Sequence, residues 1–479
     1  MIRSENHLSG KTNALRSGRL LRRIFPAILP LLLLLACPGI GRAEEPAPQK
    51  PHPADMGEPM TVQAESGQPA GGESVPAGAG MKRHKRLLLI PYPLYNETIG
   101  AGVGVGVIGQ GYLQPKSAFV GTVLVGSGSY LVYFKGVNYQ FPWIKRIIFE
   151  PDFEFGKYND VDTFTGTDNP GYPGQRAGSN DSDENNYIES DVSDQWVNLL
   201  TKFVLPIGQG RGNVIPNVVL DRGLFVSGDT GGDIWNPLES GRTYIEVMPF
   251  ERRQSLIDNN SHTKTAGVEI GLRYDNTDFR VNPSKGSMQR VWFTRDWGAL
   301  DSTAPYSVVG GEFSKYFSLG PSEHARQRTI AFDLWTVDCL TWNDSSTIDG
   351  TLEFHRPPPY NGASLGGLKR LRGYPATRFN DKAGILYTLE YRYLLNWNPL
   401  ENVHWGGKLD VSWFEIVGFG ELGRVAPSYN LSTLHESMKY DGGVGIRAMV
   451  NNVVVRIDFA AGDEGFATQM FVGHPFPFF

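Results

Sequence analysis

From Leu87 onward, apolar and polar positions alternate with a period of two. Between residues 267 and 275, Val268, Ile270, Leu272 and Tyr274 fall on one face, and Glu269, Gly271, Arg273 and Asp275 on the other. Phe149, Phe153 and Phe155 alternate with Glu150, Asp152 and Glu154, and Val453, Val455, Ile457 and Phe459 with Val454, Arg456 and Asp458. Tyr387, Leu389, Tyr391 and Tyr393 alternate with Thr388, Glu390 and Arg392. That period marks β-strands, and the chain offers about 15 to 16 of them. Polar insertions around Asp160 to Asp194, Gly228 to Asn260 and Asp344 to Arg370 read as surface loops. Asn451-Asn452 reads as a tight hairpin turn at the opposite rim. Periodicity alone fits two folds: a soluble sandwich with an apolar core, or a membrane barrel with lipid outside and a polar lumen.

The chain ends separate the two. Arg16, Arg19, Arg22 and Arg23 precede an apolar block from Ile24 to Cys37, and Gly41-Arg42-Ala43 offers a cut before Glu44. Residues 1–43 therefore read as an export signal. Lipoprotein processing at Cys37 is the rival, and Pro38 disfavours it. Residues 44–86, rich in Pro, Gly, Ala and Glu, read as a disordered periplasmic arm. They end in the basic run Lys82-Arg83-His84-Lys85-Arg86, which either touches anionic head groups or is a solvated turn. Residues 87–479 are left for the barrel. The chain closes on Phe478 and Phe479, a terminal aromatic signal for barrel assembly. Pro475 and Pro477 in the last strand, with the glycine-rich first strand from Gly100 to Gly111, imply a weakly paired seam. Trp143, Trp397, Trp405 and Trp413 fall near strand ends, where an aromatic girdle sits.

Composition agrees. Of 479 residues, 57 are glycine and 12% aromatic. The single long apolar run is N-terminal, which excludes a helical membrane bundle. A net charge of -5 argues against nucleic acid as a partner. With Cys37 in the export signal, Cys339 is left as a lone buried thiol. Gly104 to Gly109 matches a dinucleotide fingerprint, but it lies in an alternating strand with no following helix. Gly362-Ala363-Ser364-Leu365-Gly366 matches a nucleophile elbow, but Pro357, Pro358 and Pro359 precede it. The nine histidines show no metal-ligand spacing. No enzyme, metal or cofactor is implied.

The chemistry that stands out is Leu371-Arg372-Gly373-Tyr374, between a glycine-bent loop and the strand beginning near Gly384. A guanidinium enclosed by a barrel requires acidic partners. At this motif the chain resembles the BamA/TamA outer-membrane assembly superfamily, which includes bacterial surface-antigen barrels. Tyr274-Asp275-Asn276-Thr277-Asp278 with Pro283 and Gly286 resembles the family's strand motif, with Thr277 in place of the usual arginine. Arg372, Gly373 and Tyr374 resemble the hallmark of its sixth extracellular loop. Glu390 falls where the next strand carries an inward glutamate. Phe419-Gly420-Glu421-Leu422-Gly423-Arg424-Val425 resembles a further strand motif, with Glu421 replacing aspartate.

The resemblance covers residues 87–479 and is closest to the barrel-only branch, since the arm leaves no room for POTRA domains. It implies an all-β fold: a transmembrane antiparallel β-barrel of about 16 strands. The sixth loop would fold inward, with Arg372 pairing Glu390 and Glu421. It further implies a non-enzymatic protein of the Gram-negative outer membrane that assists insertion or translocation of proteins or lipids. Its expected partners are outer-membrane lipid, the barrel-assembly machinery during biogenesis, and client proteins or lipids. A passive pore or structural barrel plugged by its own loop is the alternative.

Overall fold

A computed structural model of the chain describes residues 85–476, except 97–99, 232–233, 349 and 402–409. The expected export signal, nearly all of the arm, Trp405, Pro477 and Phe479 lie outside these residues.

Alternating residues form sixteen long strands: β1 Arg86–Asn96, β2 Gly100–Gln110, β3 Ala118–Gly126, β4 Ser129–Val137, β5 Ile147–Thr163, β6 Ile188–Val204, β7 Arg242–Leu256, β8 Ser261–Asp275, β9 Gly286–Asp296, β10 Tyr306–Ser318, β11 Ala325–Cys339, β12 Ala383–Leu395, β13 Val411–Ala426, β14 Lys439–Val450, β15 Val453–Gly462 and β16 Gly465–Val472. A two-residue piece, Tyr139–Gln140, continues β4 past Asn138, whose φ is 60°. Each strand pairs antiparallel with its successor in one sheet. β1 and β16 approach within 8 Å, but no backbone ladder joins them among the described residues. An even strand count returns both chain ends to one rim, the terminal rim. The opposite, distal rim carries the long connections 164–187 and 340–382, the latter being the sixth on that side.

The burial pattern decides against a sandwich. Leu87, Leu89, Val103, Val105, Ile270, Leu272, Leu389 and Ile446 are exposed, while their inward-facing neighbours Arg273, Glu390, Arg392, Arg447, Arg456 and Asp458 are buried. Apolar groups outside and charges inside suit a wall between lipid and a polar lumen. Asn451 and Asn452, at φ 49° and 65°, make the two-residue β14–β15 turn, as two successive left-handed residues require.

Four expectations need correction. β5 and β6 run further than read, to Thr163 and from Ile188, so that insertion is only 164–187. The stretch read as a loop from Gly228 contains β7. Its alternation is blurred because Tyr244, Glu246 and Arg252 share the inward face, and Ile245, Val247, Glu251 and Arg253 the outward one. The glycine-rich strand is β2, preceded by the proline-containing β1; prolines are tolerated at a sheet edge. β16 stops at Val472, so Pro475 follows the last strand instead of interrupting it.

Candidate functional site

The connection 340–382 bends inward and its tip reaches the lumen. Gly366 and Gly367 adopt φ of 108° and 99°; a Cβ on Gly366 would lie 2.1 Å from the Pro375 carbonyl oxygen. Arg372 is fully buried. Its guanidinium lies 3.1 Å from Glu390, 3.3 Å from Glu421 and 2.9 Å from Asp458, and it stacks 3.5 Å from the Phe419 ring centroid. The Arg372 backbone N–H donates to Glu421 at 2.7 Å and that of Gly373 to Asp441 at 2.5 Å. Three strands of wall, β12, β13 and β15, thus converge on one cation. Charge-assisted hydrogen bonds of this kind are the strong ones, and a guanidinium left alone here would be costly.

Gly373 acts by leaving space. Its φ is not left-handed, whereas that of Leu371 is 48°. A Cβ on Gly373 would meet the Asp441 side chain and the Gly462 backbone at 3.0 Å. Tyr374 is buried edge-on to Phe379 at 5.1 Å. Its hydroxyl reaches the Tyr440 carbonyl at 2.9 Å and the Asp463 carboxylate. Burial alone would raise the Asp463 pKa; the Tyr374 hydroxyl and Lys439 outweigh it and hold the carboxyl below its usual range. The connection 164–187 clamps the loop from above: Arg176 lies 2.9 Å from Asp381, and Arg378 donates to the Ser182 carbonyl at 2.7 Å and to Glu464 at 2.6 Å.

Sequence reasoning missed half of this cluster. Glu390 also lies 2.9 Å from Arg392 and 2.7 Å from Arg447, so it is a hub for three guanidiniums. Arg447 donates to His474 Nδ1 at 2.7 Å. Burial, with Arg392 and Arg447 nearby, pushes the His474 imidazole well below its usual pKa and keeps it a neutral acceptor. The tail after β16 therefore turns into the barrel. Phe476 stacks on Tyr316 of β10 at 6.3 Å, and Arg392 lies 5.3 Å from its ring. Alternation had put Arg456 and Asp458 on one face opposite the apolar one, which was the available signal for Asp458. Nothing local marks Asp441 or His474.

The second motif is a rim turn, distant in sequence from this cluster. Tyr274 and Asp275 end β8, and Asp275 accepts from the Thr277 backbone and hydroxyl at 3.0 and 2.7 Å. Asp278 accepts backbone N–H groups from Phe279 and Ser284 at 2.8 and 2.9 Å. Pro283 is buried beside it. Gly286 has φ 97°, and a Cβ there would sit 2.0 Å from the Asn276 carbonyl oxygen. The turn supports residues 205–241: Asn276 accepts from Ser240 and donates to the Ile234 carbonyl, both at 2.6 Å.

Other expected sites fall as follows. Trp143 and Trp397 are exposed, as a girdle requires, but Trp413 faces inward and is fully buried. Its Nε1 donates to the Gly223 carbonyl at 3.1 Å; position at a strand end did not reveal which face it occupies. Cys339 is a buried free thiol. Gly104 to Gly109 lies within β2, and Ser364 in a three-residue strand paired with Phe379–Asp381.

The chain is similar to BamA from Haemophilus ducreyi lacking POTRA domains 1–3, at 12% identity over 82% of this chain and 70% of that one, with a TM-score of 0.45. It is also similar to CdiB from Acinetobacter baumannii, at 11% identity over 82% of this chain and 60% of that one, with a TM-score of 0.46. No curated protein matches its sequence. The model of the Omp85 superfamily domain matches residues 235–476, just over half of the chain and including both motifs, so this chain belongs to the Omp85 superfamily of outer-membrane β-barrels.

Proposed function

We propose that this chain acts at the outer membrane without catalysis, helping to insert or translocate other proteins or lipids. One observation carries the reading: β1 and β16 stand side by side without a ladder among the described residues. Unpaired backbone groups facing lipid are unfavourable, and an incoming strand relieves them. Strand length adds to this. The 8 residues of β16 extend ~27 Å at ~3.4 Å each, and tilt shortens their span below the ~25 Å apolar band of such barrels. The 17 residues of β5 and of β6 extend ~58 Å. Lipid beside the seam must thin to match the short side. The Arg372 cluster serves as an architectural clamp that keeps the sixth loop in the lumen and leaves the seam as the soft part of the wall. The partners are outer-membrane lipid, client proteins or lipids, and the barrel-assembly machinery, which would read the terminal Phe479 during biogenesis.

The occupied lumen favours a second reading, a structural or passive barrel plugged by its own loop. Depletion in cells separates the two. Falling levels of other barrels, or altered surface lipid, supports the assembly reading. Unchanged levels of both would assign the passive one.

A further inference from the structure

Residues 205–241 link β6 to β7 at the terminal rim, on the side opposite the sixth loop. Their root is pinned locally: Arg242 donates to the carbonyls of Asn213 and Asp229 at 2.9 and 2.7 Å, and Val214 and Ile215 pack on Ile148, Val204 and Tyr244. Lys116, in the β2–β3 turn, donates to the Ile215 carbonyl at 3.0 Å and to Asn217 at 2.6 Å. From there a hairpin, Val218–Asp221 paired with Leu224–Gly228, runs across the mouth. Its Val218, Leu220, Leu224 and Phe225 pack on Trp413, Met449 and Val454, from β13, β14 and β15. Those strands stand halfway round the ring from β6 and β7. The hairpin tip is fitted to its seat: Arg222 and Gly223 have φ of 44° and 73°, and a Cβ on Gly223 would lie 2.7 Å from the Ser412 Cβ and 3.0 Å from the Trp413 ring.

We propose that this hairpin is a second gate, which closes the lumen at the terminal rim in series with the Arg372-held loop. The two closures are built differently. The loop is held by buried ion pairs around Arg372, whereas the hairpin is held at its far end by an apolar seat, one indole hydrogen bond and a solvent-exposed Arg222–Glu401 pair at 3.8 Å, whose charges stay hydrated when it parts. Apolar contacts to a preformed seat give way without stranding a charge, which suits an element that swings aside. The proposal needs only the outer-membrane barrel itself. Depletion results that sink the assembly reading leave it standing.

The test is single-channel recording on the purified full chain in planar bilayers. Four forms are compared: the native chain, a form with residues 216–229 replaced by a short Gly-Ser linker, Arg372→Ala, and the two changes combined. Heat-modifiable gel migration establishes that each is folded. Two gates in series predict that the native chain and both single forms stay near background. The combined form should conduct at least about tenfold more, as an unobstructed barrel does. Either single change opening the pore as widely as the combination overturns the proposal, as does a folded combined form that stays closed. Should the shortened hairpin prevent folding, Gly223→Val with Arg372→Ala gives the same readout, because the valine wedges the tip off its seat while retaining the chain length.

Discussion

The two obstructions in this barrel sit at opposite rims and rest on opposite physics. The sixth loop is held by a cation surrounded by Glu390, Glu421 and Asp458, all buried. The hairpin at the terminal rim is held by Trp413, Met449 and Val454. A buried ion network tolerates little partial loss, since removing one member strands the others; an apolar seat loses strength in proportion to the area removed. The loop therefore behaves as a fixed strut and the hairpin as a part that can be released.

The largest expected effect is that of Arg372→Ala. Removing the guanidinium strands Glu421 and takes one partner each from Glu390, which keeps Arg392 and Arg447, and from Asp458, which keeps Arg456. The loss should cost about 3–5 kcal/mol, read as a lower transition in heat-modifiable gel migration and new trypsin cuts in residues 340–382. Arg372→Lys should recover only part of this, because an ammonium cannot reproduce the guanidinium's fork. An unchanged transition would show that the ion pairs do not hold the loop.

Trp413→Ala comes next, at about 3 kcal/mol from lost packing. It should expose residues 218–228 to protease while the sixth loop stays protected. Simultaneous exposure of both would mean that the two obstructions are one unit. Gly373→Ala should cost about 1–3 kcal/mol by overpacking, since its Cβ would press on Asp441 and on the Gly462 backbone.

The smallest effect concerns the tail. Folded His474 stays neutral, whereas in the unfolded chain it takes up a proton below its ordinary pKa of about 6.5. The unfolded state then binds more protons, so stability falls as pH drops through that value. Protonation would also set a cation against Arg392, Arg447 and Arg456, with Glu390 opposing them. Acidification below about pH 6.5 should therefore progressively loosen Phe476 from Tyr316, followed by protease access to the C-terminus. His474→Gln should flatten that pH dependence; an unchanged profile would remove the tail from this reading.

The strut was far more legible in the sequence than the releasable part. A glycine-bent arginine demands acids; alternation put Glu390, Arg456 and Asp458 on the polar faces of their strands, and the family resemblance put Glu390 inward. The strands were visible wherever one face was uniformly apolar, and β7 was hidden where it was not. The hairpin was invisible because Val218 to Gly228 is short and mixed, and because its seat is assembled from Trp413, Met449 and Val454, residues about 190 or more positions away whose facing no local pattern gives. The tail was misread for a related reason: Pro475 argued for a poor strand, while its neighbours are held by Arg447 and by Tyr316 with Arg392.

The assembly reading rests on the seam being the part of the wall that yields. A cysteine pair bridging β1 and β16, placed in a Cys339→Ser background, tests this in cells that depend on the tethered chain. With the disulfide closed, other outer-membrane barrels or surface lipid should fall to the level seen on depletion, and reductant should restore them. A fully tethered chain that sustains normal levels would contradict a working seam.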